Sequence, residues 1–230
     1  MSKRIIVSVA FVAIVTIVII SFASYQANLL EMHDRDRYME NIIASQQSSL
    51  VNLENGSPPL GSESARITIV EFSDYQCEGC YLWFHTTRSP LIDNYIETGK
   101  AKLVFVDLPF LGRDSPKAAQ ASYCAEDQEK YWEYHTMLYT FQNGPPDSGW
   151  ADRDRLNSFA FSLDMNMDEF NECMDSSKYK QRVKANYDES VRNGVQSTPT
   201  FIIISEDGKK EQFSGAQPYS VFAATIASMP

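Results

Sequence analysis

Residues 67–80 read Ile67-Thr68-Ile69-Val70-Glu71-Phe72-Ser73-Asp74-Tyr75-Gln76-Cys77-Glu78-Gly79-Cys80. The first six are rich in β-branched residues and predict a buried strand. After Ser73-Asp74-Tyr75-Gln76 come two cysteines separated by two residues. From Tyr81 to about Thr98 the chain can be helical, with Leu91, Ile92, Tyr95 and Ile96 at i, i+1, i+4 and i+5 and Gly99 as the stop. The dithiol therefore falls between a strand and the first turn of a helix. Unsatisfied N–H groups and the positive end of the helix dipole stabilise a thiolate placed there, so the pKa of such a cysteine falls. Cys77, at the exposed end, is expected to exchange with a substrate. Cys80, one turn in, is expected to be the buried resolving thiol.

Other uses of Cys77 and Cys80 are less well served. A structural zinc site needs four ligands, but Cys124 and Cys173 stand alone and His33, His85 and His135 are scattered. A purely structural disulfide across so short a loop contributes little in the loop-closure account.

Far along the chain, Val195-Gln196-Ser197-Thr198-Pro199-Thr200 precedes the β-type run Phe201-Ile202-Ile203-Ile204. Proline is tolerated at the start of a strand, and a proline there is a candidate for a cis bond. Glu206-Asp207-Gly208 makes a turn, Lys209 to Phe213 returns as a hairpin strand, and Pro218 to Ser228 can form a closing helix.

On these residues the sequence resembles the DsbA-like thiol-disulfide oxidoreductases, which have a thioredoxin fold interrupted by an all-helical insertion. The motifs that carry the resemblance are Glu71 to Cys77, Asp107-Leu108-Pro109, the Ala118 to Leu138 helix and Gly194 to Phe201. It covers about residues 66 to 228. It implies an α/β fold and a redox-active Cys77–Cys80 disulfide with no cofactor and no metal. It implies a cis Pro199 that faces Cys77, with the Thr198 backbone available to an extended substrate. Glu71 matches the family's buried acid near Cys80; the alternative is a surface carboxylate on an edge strand. Tyr75 and Trp83 read as packing residues.

One departure concerns the dipeptide between the cysteines. The family's usual pair begins with Pro and often ends with His or another aromatic residue, whereas this chain has Glu78-Gly79. Glu78 is a like charge beside a thiolate and is expected to raise the Cys77 pKa, and Gly79 supplies no cation. The type member is a strong oxidant because its reduced form is stabilised, so a weaker oxidant is expected here.

Between the two halves, Lys102 to Val106 predicts a second strand, and from about 113 to 194 the pattern is helical throughout. Ser115 reads as a cap and Pro116 as the first helical residue. Leu156, Phe159, Ala160 and Leu163 are spaced i, i+3, i+4, i+7, and Val183, Tyr187 and Val191 step by four. This is the helical cap the resemblance implies. Cys124 and Cys173 both fall inside it, and in an exported protein they are expected to form a structural disulfide; the alternative is two free core cysteines.

The amino terminus sets the expected compartment. Lys3 and Arg4 precede an apolar run from Ile5 to Ala23, long enough for a transmembrane helix. The positive-inside rule puts the terminus in the cytosol and the rest outside. Residues 1–23 read as an anchor, or as a cleaved signal peptide with Ser21-Phe22-Ala23 near the cut. Either exports the remainder. Residues 24–65 read as a stalk and flexible linker, with Pro, Gly and Ser punctuating 52–64 and a weak glycosylation sequon at Asn55. Residues 66–230 read as the catalytic domain.

The chain has 230 residues, 20 basic against 30 acidic, for a net charge of −10. Without residues 1–23 the balance is 18 against 30, or −12. Such a field repels phosphate backbones and excludes nucleic acid as a partner. The expected function is oxidation of dithiols in reduced exported proteins, with reoxidation by a quinone-linked membrane protein. The alternatives are a reductase or isomerase of the same fold, or a membrane-tethered copper-handling module, for which only His85 is close to the dithiol in sequence.

Overall fold

The computed structural model describes residues 24–26, 28–30, 32–35, 37 and 51–230. The chain divides into two units, Met1–Leu50 and Val51–Pro230. The described residues of the first are helical. The apolar segment 1–23 and most of the expected stalk up to residue 50 lie outside the described residues. Among the described residues no helix is long and apolar enough to cross a membrane.

In the second unit, β1 (Ile67–Ser73) is followed by α1 (Glu78–Thr86), α2 (Arg88–Leu91), a π-helical turn (Ile92–Ile96) and β2 (Ala101–Asp107). Then come α3 (Ser115–Glu126), α4 (Tyr131–Thr140), α5 (Arg153–Ser162), α6 (Met167–Asp175) and α7 (Lys180–Arg192). The chain closes with β3 (Thr200–Ser205), β4 (Lys210–Ser214) and α8 (Tyr219–Ala227). The sheet order is β2-β1-β3-β4, with β2 parallel to β1 and the other pairs antiparallel. This is the interrupted α/β order expected from the sequence.

The helix expected from Tyr81 to Thr98 is broken at Thr87. Pro90 has no N–H to return to the Thr86 carbonyl, and the Thr87 hydroxyl donates instead to Gln217 O at 3.0 Å.

β1 is an interior strand, and both of its faces are covered. Ile67 and Ile69 pack with Trp83, Leu91, Phe201 and Phe222, beneath α1 and α8. Val70 and Phe72 face the other way, against Val104, Val106, Ile202 and Val51. Val51 belongs to the stretch read as stalk and linker, which corrects that boundary. Leu60 pairs with Leu103 of β2 in both directions, at 2.8 and 3.0 Å. Trp132 Nε1 donates to Pro58 O at 3.1 Å, and Ser57 Oγ accepts from Phe105 N at 2.9 Å. A strand buried on both faces needs a second cover, and residues 51–60 supply part of it despite a loop-like composition. A chain shortened to begin at residue 66 should therefore be less stable than one beginning at residue 51. The loss should be on the order of 3 kcal/mol, since an apolar side chain and several hydrogen bonds go. Equal urea midpoints for the two chains would restore the linker reading.

Two details of the insertion differ from expectation. The cap residue of α3 is Asp114, not Ser115, because the Ser115 hydroxyl accepts a bond from Gln76. On α7, Val183 is buried but Tyr187 and Val191 are exposed. The buried stripe is Val183, Asn186, Glu189 and Ser190. Its polar members are bonded on one side: Asn186 Nδ2 donates to Asp107 and Tyr123, and Glu189 accepts from Asn52 N at 2.7 Å, while Asn186 Oδ1 has no partner among the described residues. An apolar pattern does not mark such a face.

Candidate active site

The turn that presents the dithiol is set by Asp74. Its Oδ1 accepts from Gln76 N at 2.8 Å, and its Oδ2 accepts from Phe110 N and Leu111 N, both at 3.0 Å. Its carbonyl accepts from Cys77 N at 3.0 Å. This side chain–backbone turn ends β1 and starts α1. Cys77 is the N-terminal cap of α1, with extended backbone, and its sulfur accepts from Cys80 N at 3.2 Å. On the other side the Cys77 thiol donates to the Thr198 carbonyl at 3.4 Å. Thr198-Pro199 is cis, and a Cβ on Gly79 would stand 3.2 Å from Pro199 Cδ. Cys77, Gly79, Cys80, Thr198 and Pro199 thus meet at one point, although some 120 residues separate the two segments. Gly79 lets α1 approach the proline loop.

Both thiols are buried, Cys80 more completely than Cys77. The hydrogen bond from the Cys80 side chain holds Cys77 down at about 6 against the opposing effect of burial, with help from Thr198 and the N–H groups of Cys80 and Gly79. Burial pushes Cys80 well up, and the neighbouring Cys77 adds to this. The expected upward push from Glu78 is outweighed: Glu78 is exposed to solvent, where its charge is screened. Two sulfurs one helical turn apart therefore differ strongly in acidity, which suits the outer one to leave and be attacked and the inner one to hold a proton.

Glu71 lies fully buried on β1, between Phe105 and Phe201 on the flanking strands. This corrects the alternative of a surface carboxylate on an edge strand. Burial raises it to about 8, with Ser73 and Arg88 opposing and Cys77 adding. Neither carboxyl oxygen has a hydrogen-bond partner among the described residues. The Tyr139 hydroxyl is pushed up by burial first and then by the charges of Cys80 and Glu71. Because the folded Glu71 pKa lies above the ordinary value of 4.5, its contribution to stability is complete below pH 4.5 and is lost as pH rises toward 8. Glu71→Gln should therefore gain stability over the native chain as pH rises from 5 to 8, by about 3–4 kcal/mol. Thermal midpoints that differ by a constant amount across this range would refute the assignment.

Several residues here escaped the sequence reading. Arg88 lies over the Phe84 and Trp132 rings, 5.0 and 5.9 Å from their centroids. His135 Nδ1 meets Tyr75 OH at 3.0 Å, and burial holds this ring well below its ordinary pKa. Tyr139 donates to Ser73 Oγ at 3.1 Å. Gln76, next to Cys77, exchanges two bonds with Asp147: Asp147 N donates to Gln76 Oε1 at 2.8 Å, and Gln76 Nε2 donates to Asp147 Oδ1 at 3.3 Å. The segment 141–152, which contains Pro145-Pro146-Asp147-Ser148-Gly149, is a loop between α4 and α5, which corrects the expectation of helix throughout 113–194. Tyr75 and Trp83 are fully buried packing residues, as read. His85 lies against Tyr81 with centroids 4.2 Å apart and the rings tilted by 48°. Among the described residues, no group of three or more His, Cys, Asp or Glu residues is arranged to hold a metal ion.

In the insertion, Cys124 on α3 and Cys173 on α6 are joined by a disulfide. The cluster around it, including Tyr134, Leu138, Leu156 and Phe170, also contains Tyr75, Cys77 and Cys80. The core of the cap and the floor of the dithiol site are one body of packed side chains.

Comparison with known proteins agrees with this geometry. A family model described as thioredoxin matches residues 54–226, which again includes part of the segment read as linker. The probable disulfide bond formation protein D of Bacillus anthracis is 28% identical over 147 residues, 63% of this chain and 68% of that protein. The crystal structure of oxidised BdbD from Bacillus subtilis superposes with a TM-score of 0.69 at 25% identity, covering 76% of this chain and 93% of that one. The structure of alpha-DsbA1 from Wolbachia pipientis has the same fold, with a TM-score of 0.69 at 24% identity, covering 78% of this chain and 93% of that one. With a dithiol at a helix start, a facing proline loop and a disulfide-linked helical cap in family order, the chain belongs to the thioredoxin family, in its DsbA-like group.

Proposed function

We propose that this chain is an extracytoplasmic thiol-disulfide oxidase that introduces disulfides into exported proteins through Cys77 and Cys80. One observation carries the reading: at the cap of α1, Cys77 is held at about 6, chiefly by the Cys80 side chain, while burial pushes Cys80, one turn in, well above the ordinary thiol range. In the oxidised enzyme a substrate thiolate attacks Cys77 Sγ and the Cys77–Cys80 bond breaks. Cys80 leaves as a thiolate and takes a proton. A second substrate thiolate then attacks the substrate sulfur of the mixed disulfide, and Cys77 leaves as a stable thiolate. The substrate gains one disulfide and loses two electrons, which remain in the Cys77/Cys80 dithiol. Glu71, buried on β1 and raised to about 8, is suited to give and take the proton of the dithiol. Thr198 lies beside the exposed Gln196 and Ser197, where its backbone can pair with an extended substrate.

The direction follows from the same asymmetry, since stabilising the reduced form makes an oxidant. Among the relatives, the Bacillus protein carries disulfide bond formation in its name. A quinone-linked membrane protein is the proposed reoxidant. Residues 1–23, as a single-pass anchor with a cytosolic N-terminus, would keep the two together.

The reduction potential is the test. Thiol acidity near 6 lies between thioredoxin, at about 7, and the family's type member, at about 3.5. The potential should accordingly fall between about −270 and −120 mV, and the oxidised chain should form one substrate disulfide for each Cys77–Cys80 disulfide consumed. A potential at or below the thioredoxin value would assign the chain to reduction instead.

A further inference from the structure

We propose that a hollow beside Cys77 selects substrates carrying a basic side chain, Arg or Lys, next to their reactive cysteine; this rests on the dithiol exchange proposed above. The hollow has a volume of about 510 Å³ and lies between the start of α1 and the loop that joins α4 to α5. Glu78, the residue after Cys77, is the one charged group among its lining residues, and no basic side chain lines it. The Tyr81 ring together with Pro145 and Pro146 forms apolar walls. An exposed carboxylate and an aromatic side chain on one lining suit a long aliphatic stem that ends in a cation.

The hollow is built in register with the dithiol. Asp147, which follows Pro146, accepts from Arg113 N and Asp114 N, both at 3.0 Å. Its two bonds with Gln76 tie the loop to the residue just before Cys77. The wall is thus fixed relative to the sulfur under attack, so a side chain flanking the substrate cysteine meets it as the mixed disulfide forms. Glu78 in this reading gives the chain a substrate preference that a Pro at the same position would not supply.

The experiment compares single-turnover oxidation of two dithiol peptides by the oxidised full-length chain. One peptide carries Arg on both sides of its reactive cysteine and the other carries Glu. The ratio of their rates cancels changes in Cys77 itself. The native chain should favour the Arg peptide about tenfold, the scale of an exposed ion pair plus a cation–π contact. The ratio should shrink with added salt. Glu78→Gln should bring it to about two or three, and Glu78→Arg should reverse it. Tyr81→Ala should lower the ratio while the alkylation midpoint of Cys77 stays in place. Equal rates for the two peptides, or a ratio that Glu78→Gln leaves unchanged, would overturn the pocket assignment while leaving the oxidase reading intact. Failure to oxidise either peptide would overturn both.

Discussion

Cys77→Ser should abolish dithiol oxidation, whereas Cys80→Ser should leave a chain that captures substrates and does not release them. The two sulfurs lie within one turn of α1, yet only Cys77 touches the Thr198 carbonyl at the proline loop. With Cys77 gone there is no sulfur at the point of attack, because Cys80 is completely buried. With Cys80 gone, Cys77 accumulates in mixed disulfides with its partners, which non-reducing gels of whole cells would display as Cys77-dependent adducts. Absence of such adducts from the Cys80→Ser chain would contradict the exchange mechanism. The same pair makes a sharper test in vitro. The main cause of the low Cys77 pKa is the bond from the Cys80 side chain. Alkylation of the reduced native chain should therefore rise with a midpoint of about pH 6, and in Cys80→Ala the midpoint should move up toward the ordinary value of 9.0. Because the folded-state value is depressed, the stabilisation of the reduced form is complete above pH 9 and is lost as pH falls through 6. The oxidised form has no thiol to titrate there. Raising pH from 6 to 9 should thus stabilise the reduced chain relative to the oxidised one.

The chemistry was more legible in the sequence than the packing that supports it. A strand of β-branched residues, a CxxC at a helix start and Thr-Pro before a hairpin are local signals, and the structure brings them together at the dithiol. Residues 51–60 were illegible because they pack through backbone bonds and scattered apolar residues such as Val51 and Leu60, which have no period. The buried face of α7 was misread for a related reason. The Asn186 amide N–H groups and the Glu189 carboxylate are held inside by Asp107, Tyr123 and the Asn52 N–H, and hydrophobic periodicity registers only apolar burial. The Gln76–Asp147 brace joins positions 71 residues apart, and nothing in either segment names the other. Glu71 was readable only through the resemblance. Its burial between Phe105 and Phe201 is a property of the sheet register, and that burial raises its pKa.

The second large effect expected is on stability. Removing the Cys124–Cys173 disulfide, as the double variant Cys124→Ala/Cys173→Ala, should cost about 4 kcal/mol in the chain-entropy account, given a closed loop of about 50 residues. The sequence separation of 49 encloses α4, α5 and the loop that carries Asp147. In a domain of this size that corresponds to a fall in thermal midpoint of roughly 8–16 °C. The Cys77–Cys80 bond closes a far shorter loop, so its reduction changes stability through thiolate placement rather than chain entropy. The two disulfides are therefore separable by experiment, even though their sulfurs lie in one packed cluster. The double variant should unfold earlier and keep a Cys77 alkylation midpoint near pH 6, because the bonds from Cys80, Thr198 and Gly79 that set it all lie outside the insertion. A loss below about 1 kcal/mol would mean that α3 and α6 are held by Ala121, Leu156 and Phe170 without the bond. A displaced alkylation midpoint would mean that the cap sets the acidity of Cys77 as well as covering it.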